Sequence, residues 1–221
     1  MSDTIGQDQQ QNMRRVALTS LAGTSIEWYD FFLYATAAAV IFPIAFFPQE
    51  DPTTALLISF SSLAVGFLAR PLGGIVFGHF GDRIGRKRTL VVALMMMGIT
   101  TTLIGFLPTY ASIGIAAPVL LVLLRFVQGL AIGGQWGGAM LLVTESAPAN
   151  QRGWYGAYAQ AGAPIGVVLA NLAFIGVSSS MSDEAFMDWG WRLPFIASIV
   201  LIGISMYIQL KIEDTEAFRS L

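Results

Sequence analysis

The chain has 221 residues, of which 55% are hydrophobic and 12% charged, and its net charge is −2. Soluble domains carry about 25% charged residues, so water is not its main solvent, and a near-neutral balance leaves no basic footprint for nucleic acid. The absence of cysteine and the single histidine, His79, exclude disulfides, cysteine-ligated metals and a histidine metal cluster.

Residues 1–15 read as a polar, Gln-rich cytoplasmic tail. The apolar run after Arg14 and Arg15 is too long for the h-region of a cleaved signal peptide, so it reads as a retained helix. Apolar spans follow near 18–46, 54–79, 89–107, 114–142, 154–178 and 192–211. Each supplies the roughly 20 residues needed to cross about 30 Å of hydrocarbon. The breakers fall between them: Pro48 to Pro52, the Gly81 to Arg88 loop, Pro108, Ala147 to Asn150, and the acidic stretch Ser182 to Asp188. The prediction is an all-α membrane protein in which 16–212 forms a bundle of six transmembrane helices.

Orientation follows from Lys and Arg. Arg14, Arg15, Arg83, Arg86, Lys87, Arg88, Arg152, Lys211 and Arg219 lie at the two ends and in the second and fourth loops, whereas the other loops carry Glu50, Asp51, Asp183, Glu184 and Asp188. The positive-inside rule therefore places both termini in the cytoplasm, and the basic second loop against the lipid of the inner, cytoplasmic leaflet. Small residues recur at every fourth position, in Gly129, Gly133, Gly137, in Gly74 and Gly78, and in Gly162 and Gly166. Such faces let helix backbones approach closely in lipid. Trp154, Trp189 and Trp191 fall at span boundaries and read as interfacial anchors.

Charges inside hydrocarbon cost about 2.5–3.5 kcal/mol each on insertion scales, so each needs a partner or a purpose. Glu27 and Asp30 in the first span, Arg70 in the second and Arg125 in the fourth are those residues. Arg125 lies about 11 residues, on the order of 16 Å, from the outer end of its helix. Glu27, Asp30 and Tyr34 share one face of the first helix, and Arg125, Gln128 and Gln135 share a sector of the fourth. If those helices line a common cavity, an anion binds at Arg125 or Arg70 and a proton passes through Glu27 or Asp30. The competing reading is an ion pair that only fixes helix register. An intramembrane enzyme would need a nucleophile with a base or a metal, and one interfacial histidine with no cysteine leaves little to build it from.

The most specific string is Gly78-His79-Phe80-Gly81-Asp82-Arg83-Ile84-Gly85-Arg86-Lys87-Arg88. It resembles the motif between the second and third helices of the major facilitator superfamily, with Phe80 and Gly81 in place of the commoner Leu and Ala. Arg125-Phe126-Val127-Gln128-Gly129 resembles that superfamily's fourth-helix motif. Glu27-Trp28-Tyr29-Asp30-Phe31, Arg70-Pro71-Leu72-Gly73-Gly74, Gly133 to Gly138, Glu145-Ser146-Ala147-Pro148 and Trp189 to Phe195 narrow the resemblance to the metabolite:proton symporter family. The resemblance implies the amino-terminal half of a twelve-helix fold made of 3+3 inverted repeats, with 213–221 opening the central cytoplasmic loop. It also implies symport of a small metabolite, an organic acid, coupled to a proton and needing no other cofactor. The remaining partner would be a second six-helix half, whether a carboxyl-terminal half, a split partner or a second copy. Gly78, Asp82, Arg83, Gly85, Arg86, Lys87 and Glu145 would form a cytoplasmic gate. One position departs from the family pattern, where Gln135 stands in place of a glutamate. Coupling then rests on Glu27 and Asp30, or the position only hydrogen-bonds across helices. The alternative function is a truncated, non-transporting remnant or an assembly partner of another carrier.

Overall fold

The computed structural model describes residues 2–84, 86–148 and 150–212, leaving undescribed the side chains at 2–12, 86–88, 135–146 and 208–212, among others. Helices dominate in chain order: α1 (Ser2–Val40), α2 (Phe42–Phe46), α3 (Pro52–Ile84), α4 (Arg86–Phe106), α5 (Tyr110–Ile113), α6 (Ala116–Ser146), α7 (Arg152–Ser178), α8 (Asp183–Ala185), a π-helical turn (Phe186–Gly190) and α9 (Arg192–Ile212). Among the described residues there is no strand. The long helices α1, α3, α4, α6, α7 and α9 correspond in order to the six expected spans.

Length and composition alone qualify Pro52–Arg83, Ala116–Gly134 and Arg152–Ser178 as membrane-crossing, and the bent pair Asp183–Gly190 with Arg192–Ile204, 51° apart, counts as a fourth. In α4 the apolar stretch is the shorter Val91–Phe106. Expected boundaries are exceeded at two places. The helix of the first span begins at Ser2, so the polar tail is helical in backbone. The stretch Gly81–Arg88, expected as a loop, is helical at Gly81–Ile84 and at Arg86–Arg88. Arg and Lys are good helix formers, and the only glycine within Asp82–Arg88 is Gly85, which lies outside the described residues.

Local chemistry explains the ends. Asp51 caps α3, its Oδ1 accepting from the backbone N–H groups of Thr53 and Thr54 at 3.1 Å each, with Pro52 at the first helical position, where no N–H is needed. Gly114, at φ 59°, closes α5 and turns the chain into α6, a backbone state that other residues rarely adopt. Ser182 caps α8 by accepting from the Ala185 N–H at 3.3 Å.

Packing follows a pairwise scheme: α1 lies along α7, α3 along α6, and α4 along α9 and α6. Exchanging the first three long helices for the last three turns the α1–α7 contact into α6–α3 and maps α4–α9 onto itself. The same exchange turns α4–α6 into α9–α1, which is also observed. An odd number of helices per unit reverses the direction of the second unit, so the bundle is an inverted repeat. Both main crossings are built from glycine. A Cβ at Gly73 or Gly133 would strike the backbone of Leu130 or Arg70 in the α3–α6 pair, and one at Gly162 or Gly166 would strike Thr24 or Trp28 and Tyr29 of α1. By contrast, a Cβ at Gly74 would stand 3.6 Å from the Gly133 carbonyl, and Gly78 meets nothing within 4 Å. Gly78 is therefore exposed and off the helix contact that its spacing suggested.

The largest core cluster joins Tyr34, Phe42, Phe46, Trp191, Phe195, Leu121 and Phe174 from five different helices and the turn before α9. Trp191 corrects an expectation: it is 0% exposed, whereas Trp154 and Trp189 are 67% and 49% exposed. The bend before α9 turns Trp191 inward, where its ring meets Phe42, Phe46 and Phe195 edge-on.

Candidate functional site

Three helices bring a polar cluster together inside this apolar bundle. Arg125 on α6 is 1% exposed, Gln128 on the same helix 0%, and Asp30 on α1 2%. Helical spacing puts Gln128 one turn from Arg125, and Arg125 Nη1 donates to Gln128 Oε1 at 2.5 Å. Gln128 Nε2 in turn donates to Asp30 Oδ2 and, at 2.8 Å, to Thr101 Oγ1 of α4. The Thr101 hydroxyl hydrogen is already given to the Met97 carbonyl at 2.9 Å, so Thr101 can only accept here. An arginine only donates. These two constraints fix the amide orientation: its oxygen faces Arg125 and both of its hydrogens are used. Gln128 is thus the neutral connector between a buried guanidinium and a buried carboxylate.

Tyr34 supports the guanidinium from α1, its ring lying 4.2 Å from Arg125 Cζ. Its hydroxyl is 2.7 Å from Ser62 Oγ on α3. Ser62 spends its own hydrogen on the Ser59 carbonyl, so Tyr34 is the donor. Room for the arginine comes from Gly66, where a Cβ would stand 2.8 Å from Arg125 Nε. Two buried atoms of the cluster have no hydrogen-bond partner, Asp30 Oδ1 and Arg125 Nε. They are the places where the cluster has bonding capacity to spare.

Arg70 and Glu27 form a second group one step away. Glu27 lies within electrostatic reach of Arg70 and of Asp30. The Arg70 guanidinium lies over Phe67 at 4.5 Å and beside Phe31 at 5.9 Å. Together the two arginines and two acids balance in formal charge.

Of the residues singled out in sequence, Asp30, Gln128, Arg125 and Tyr34 are linked in that order by contact, and Glu27 with Arg70 adjoins them. Sequence reasoning missed Thr101, Ser62, Gly66, Phe31 and Phe67. The run Thr100-Thr101-Thr102 in an apolar span was a readable signal, since all three are buried. Gly66 carried none. Gly78, Asp82 and Arg83 are exposed at one end of the bundle. Gly85 and the side chains of Arg86, Lys87, Gln135 and Glu145 lie outside the described residues.

An apolar six-helix inverted repeat with balanced charges at its centre defines one half of a membrane transport protein of the major facilitator fold. The chain belongs to the sugar (and other) transporter family of the major facilitator superfamily, which matches residues 16–219. It is 55% identical over 205 residues to the inner membrane metabolite transport protein YhjE of Escherichia coli, covering 93% of this chain and 47% of that protein. It is 49% identical over 206 residues to the shikimate transporter of Escherichia coli, again covering 93% and 47%. The proton:xylose symporter XylE bound to 6-bromo-6-deoxy-D-glucose has the same fold, with a TM-score of 0.77 at 16% identity over 91% of this chain and 45% of that one. The chain spans about half the length of the curated relatives it matches, and it corresponds to their amino-terminal half.

Proposed function

We propose that this chain is the charge-bearing half of a secondary transporter that carries a small organic acid together with a proton. The observation behind this reading is the buried connection Asp30–Gln128–Arg125, which ties α1 to α6 and, through Thr101, to α4. A buried carboxyl group with one unpartnered oxygen has a place for a proton, and its helix is tied to two others. Gaining or losing that proton therefore changes what holds α1 to α6. Intramembrane ionisable groups that pair in this way mark ion and substrate paths. The proton is the coupling ion, and no other cofactor is needed. The substrate lies near the midplane between this half and a second six-helix half. We place the protein in the inner membrane with both termini cytoplasmic, from its basic loops. In the same reading Gly78, Asp82, Arg83, Gly85, Arg86, Lys87 and Glu145 form the cytoplasmic gate.

The test is uptake into proteoliposomes by this chain joined to a second six-helix half, scanned with organic acids under an inward proton gradient. Gradient-driven uptake of at least one acid that Asp30→Asn abolishes is the expected result. Uptake of none, or uptake unchanged by Asp30→Asn, refutes it.

A further inference from the structure

We propose that Arg70, Phe67 and Phe31 form the subsite that takes the substrate's carboxylate and apolar body, while Arg125 stays a structural cation; this rests on the transport reading above. The two arginines differ in what remains free. Arg125 is 1% exposed, with Gln128 on its Nη1 and the Tyr34 ring beneath it. Arg70 is only partly buried. Among the described residues its guanidinium makes no hydrogen bond, having Glu27 as an electrostatic neighbour and lying over the Phe67 ring at 4.5 Å, with Phe31 at 5.9 Å. A guanidinium held only by charge and aromatic contact keeps N–H groups for a carboxylate, which it grips with two parallel hydrogen bonds.

The surroundings favour the same assignment. Arg70 lies about 9 residues, on the order of 14 Å, in from the expected inner end of its span at residue 79, too deep to reach the interface easily. A partly exposed guanidinium at that depth cannot face lipid without the cost of a bare charge, so its free N–H groups face water or protein. Phe67 is 47% exposed, and its ring lies 5.6 Å from that of Phe31 at 70°. The two rings make an apolar corner beside the charge.

Repeat symmetry supplies an independent argument. The exchange pairs α3 with α7, and aligning the one proline inside each, Pro71 with Pro164, also aligns Gly73 with Gly166. Both prolines are inside their helices, and both glycines abut the crossing helix. Arg70 then falls on Ala163. The crossing is thus built once with an arginine and once with an alanine, so the crossing itself does not require the charge. A carboxylate on an apolar body fits what has been added.

The experiment is isothermal titration calorimetry on the purified 221-residue chain in lipid nanodiscs, with cyclohexanecarboxylate, acetate and cyclohexylmethanol as probes. Saturable binding of cyclohexanecarboxylate is expected, with weaker binding of acetate and none of the alcohol. Arg70→Gln should weaken it about tenfold or more, as expected for losing a charge-assisted bidentate pair. Arg70→Lys should recover only part, and Phe67→Ala should weaken it about threefold. Glu27→Gln, which removes the competing acid, should tighten it. Because Ala163 occupies the equivalent place, Arg70→Ala should fold, and circular dichroism with size exclusion checks this. No saturable binding by the wild-type chain, binding of the alcohol equal to that of the acid, or Arg70→Gln and Arg70→Ala binding like wild type would each overturn the subsite. Binding with these properties but no gradient-driven uptake would leave the subsite standing and remove the transport reading. Uptake indifferent to Arg70 would do the reverse.

Discussion

Replacing Gln128 with leucine tests the buried connector most directly. The two side chains are close in volume, so the change removes hydrogen bonds without opening a large cavity. Three bonds are lost: from Arg125, to Asp30 and to Thr101. The two that involve charged partners contribute about 1.5–3 kcal/mol each, and the neutral interhelical one about 0.6 kcal/mol, the average for such bonds in a membrane. The low end of that range gives an expected loss of roughly 3–4 kcal/mol, since a buried guanidinium and a buried carboxylate both lose their tie. Unfolding in mixed micelles by titration with dodecyl sulfate, followed by circular dichroism, measures it. Thr101→Val should cost under about 1 kcal/mol, because only the neutral bond between helices and one local bond to Met97 are removed. A double-mutant cycle between Gln128 and Asp30 should return a coupling of about 1.5 kcal/mol or more. A loss below about 1 kcal/mol for Gln128→Leu would refute the reasoning, by showing that neither charged group depends on the amide for its partner.

Other expectations concern the scaffold. Gly73→Ala places a Cβ against the Leu130 backbone, which cannot rotate away, so it should destabilise by about 1–3 kcal/mol. Gly176→Ala and Gly203→Ala meet nothing within 4 Å and should leave the same unfolding curve unmoved or slightly improved. Arg192 donates to the carbonyls of Leu107 at 2.6 Å and Gly105 at 3.3 Å, closing the end of α4; Arg192→Leu should cost about 1–3 kcal/mol in that assay. Asp51 supplies a pH test. The Thr54 hydroxyl, then the Thr54 and Thr53 amides, hold its carboxyl below the ordinary aspartate range. Its support of the first turn of α3 is therefore complete above the ordinary pKa and fades as pH falls through the lowered one. Protection of the Thr53 and Thr54 amides from hydrogen exchange should drop over that acid window, and be low at every pH in Asp51→Ala.

Much of the architecture was legible because the bilayer imposes simple rules on a chain. A span must be about 20 residues of apolar sequence, so the number and order of the long helices could be read directly. The charged residues that matter announced themselves by their cost, and Asp30, Arg125 and Gln128 were placed on the correct faces by helical spacing alone. Boundaries were less legible. Asp82 to Arg88 is polar enough to read as a loop, yet its described residues, Asp82–Ile84 and Arg86–Arg88, continue the flanking helices. Trp191 shows the same limit, since aromatic residues at a span end suit an interface, and only the bend before α9 turns this one into the core.

By itself, then, the sequence determined that this is a six-helix membrane bundle of a transporter family with four intramembrane charges, because hydropathy and motif order are properties of the chain as a line. Which charges share partners was decided by the tertiary structure alone. Gln128, Thr101 and Asp30 come from three helices and meet only after α1, α4 and α6 have packed. Their amide and hydroxyl hydrogens can be assigned only when every donor and acceptor is in place. The inverted repeat, which the resemblance implied, leaves little trace in residue identities beyond Pro71 and Gly73 matching Pro164 and Gly166; it emerged in which helices touch, because packing keeps the glycine crossings while the side chains around them, Arg70 against Ala163, are free to differ.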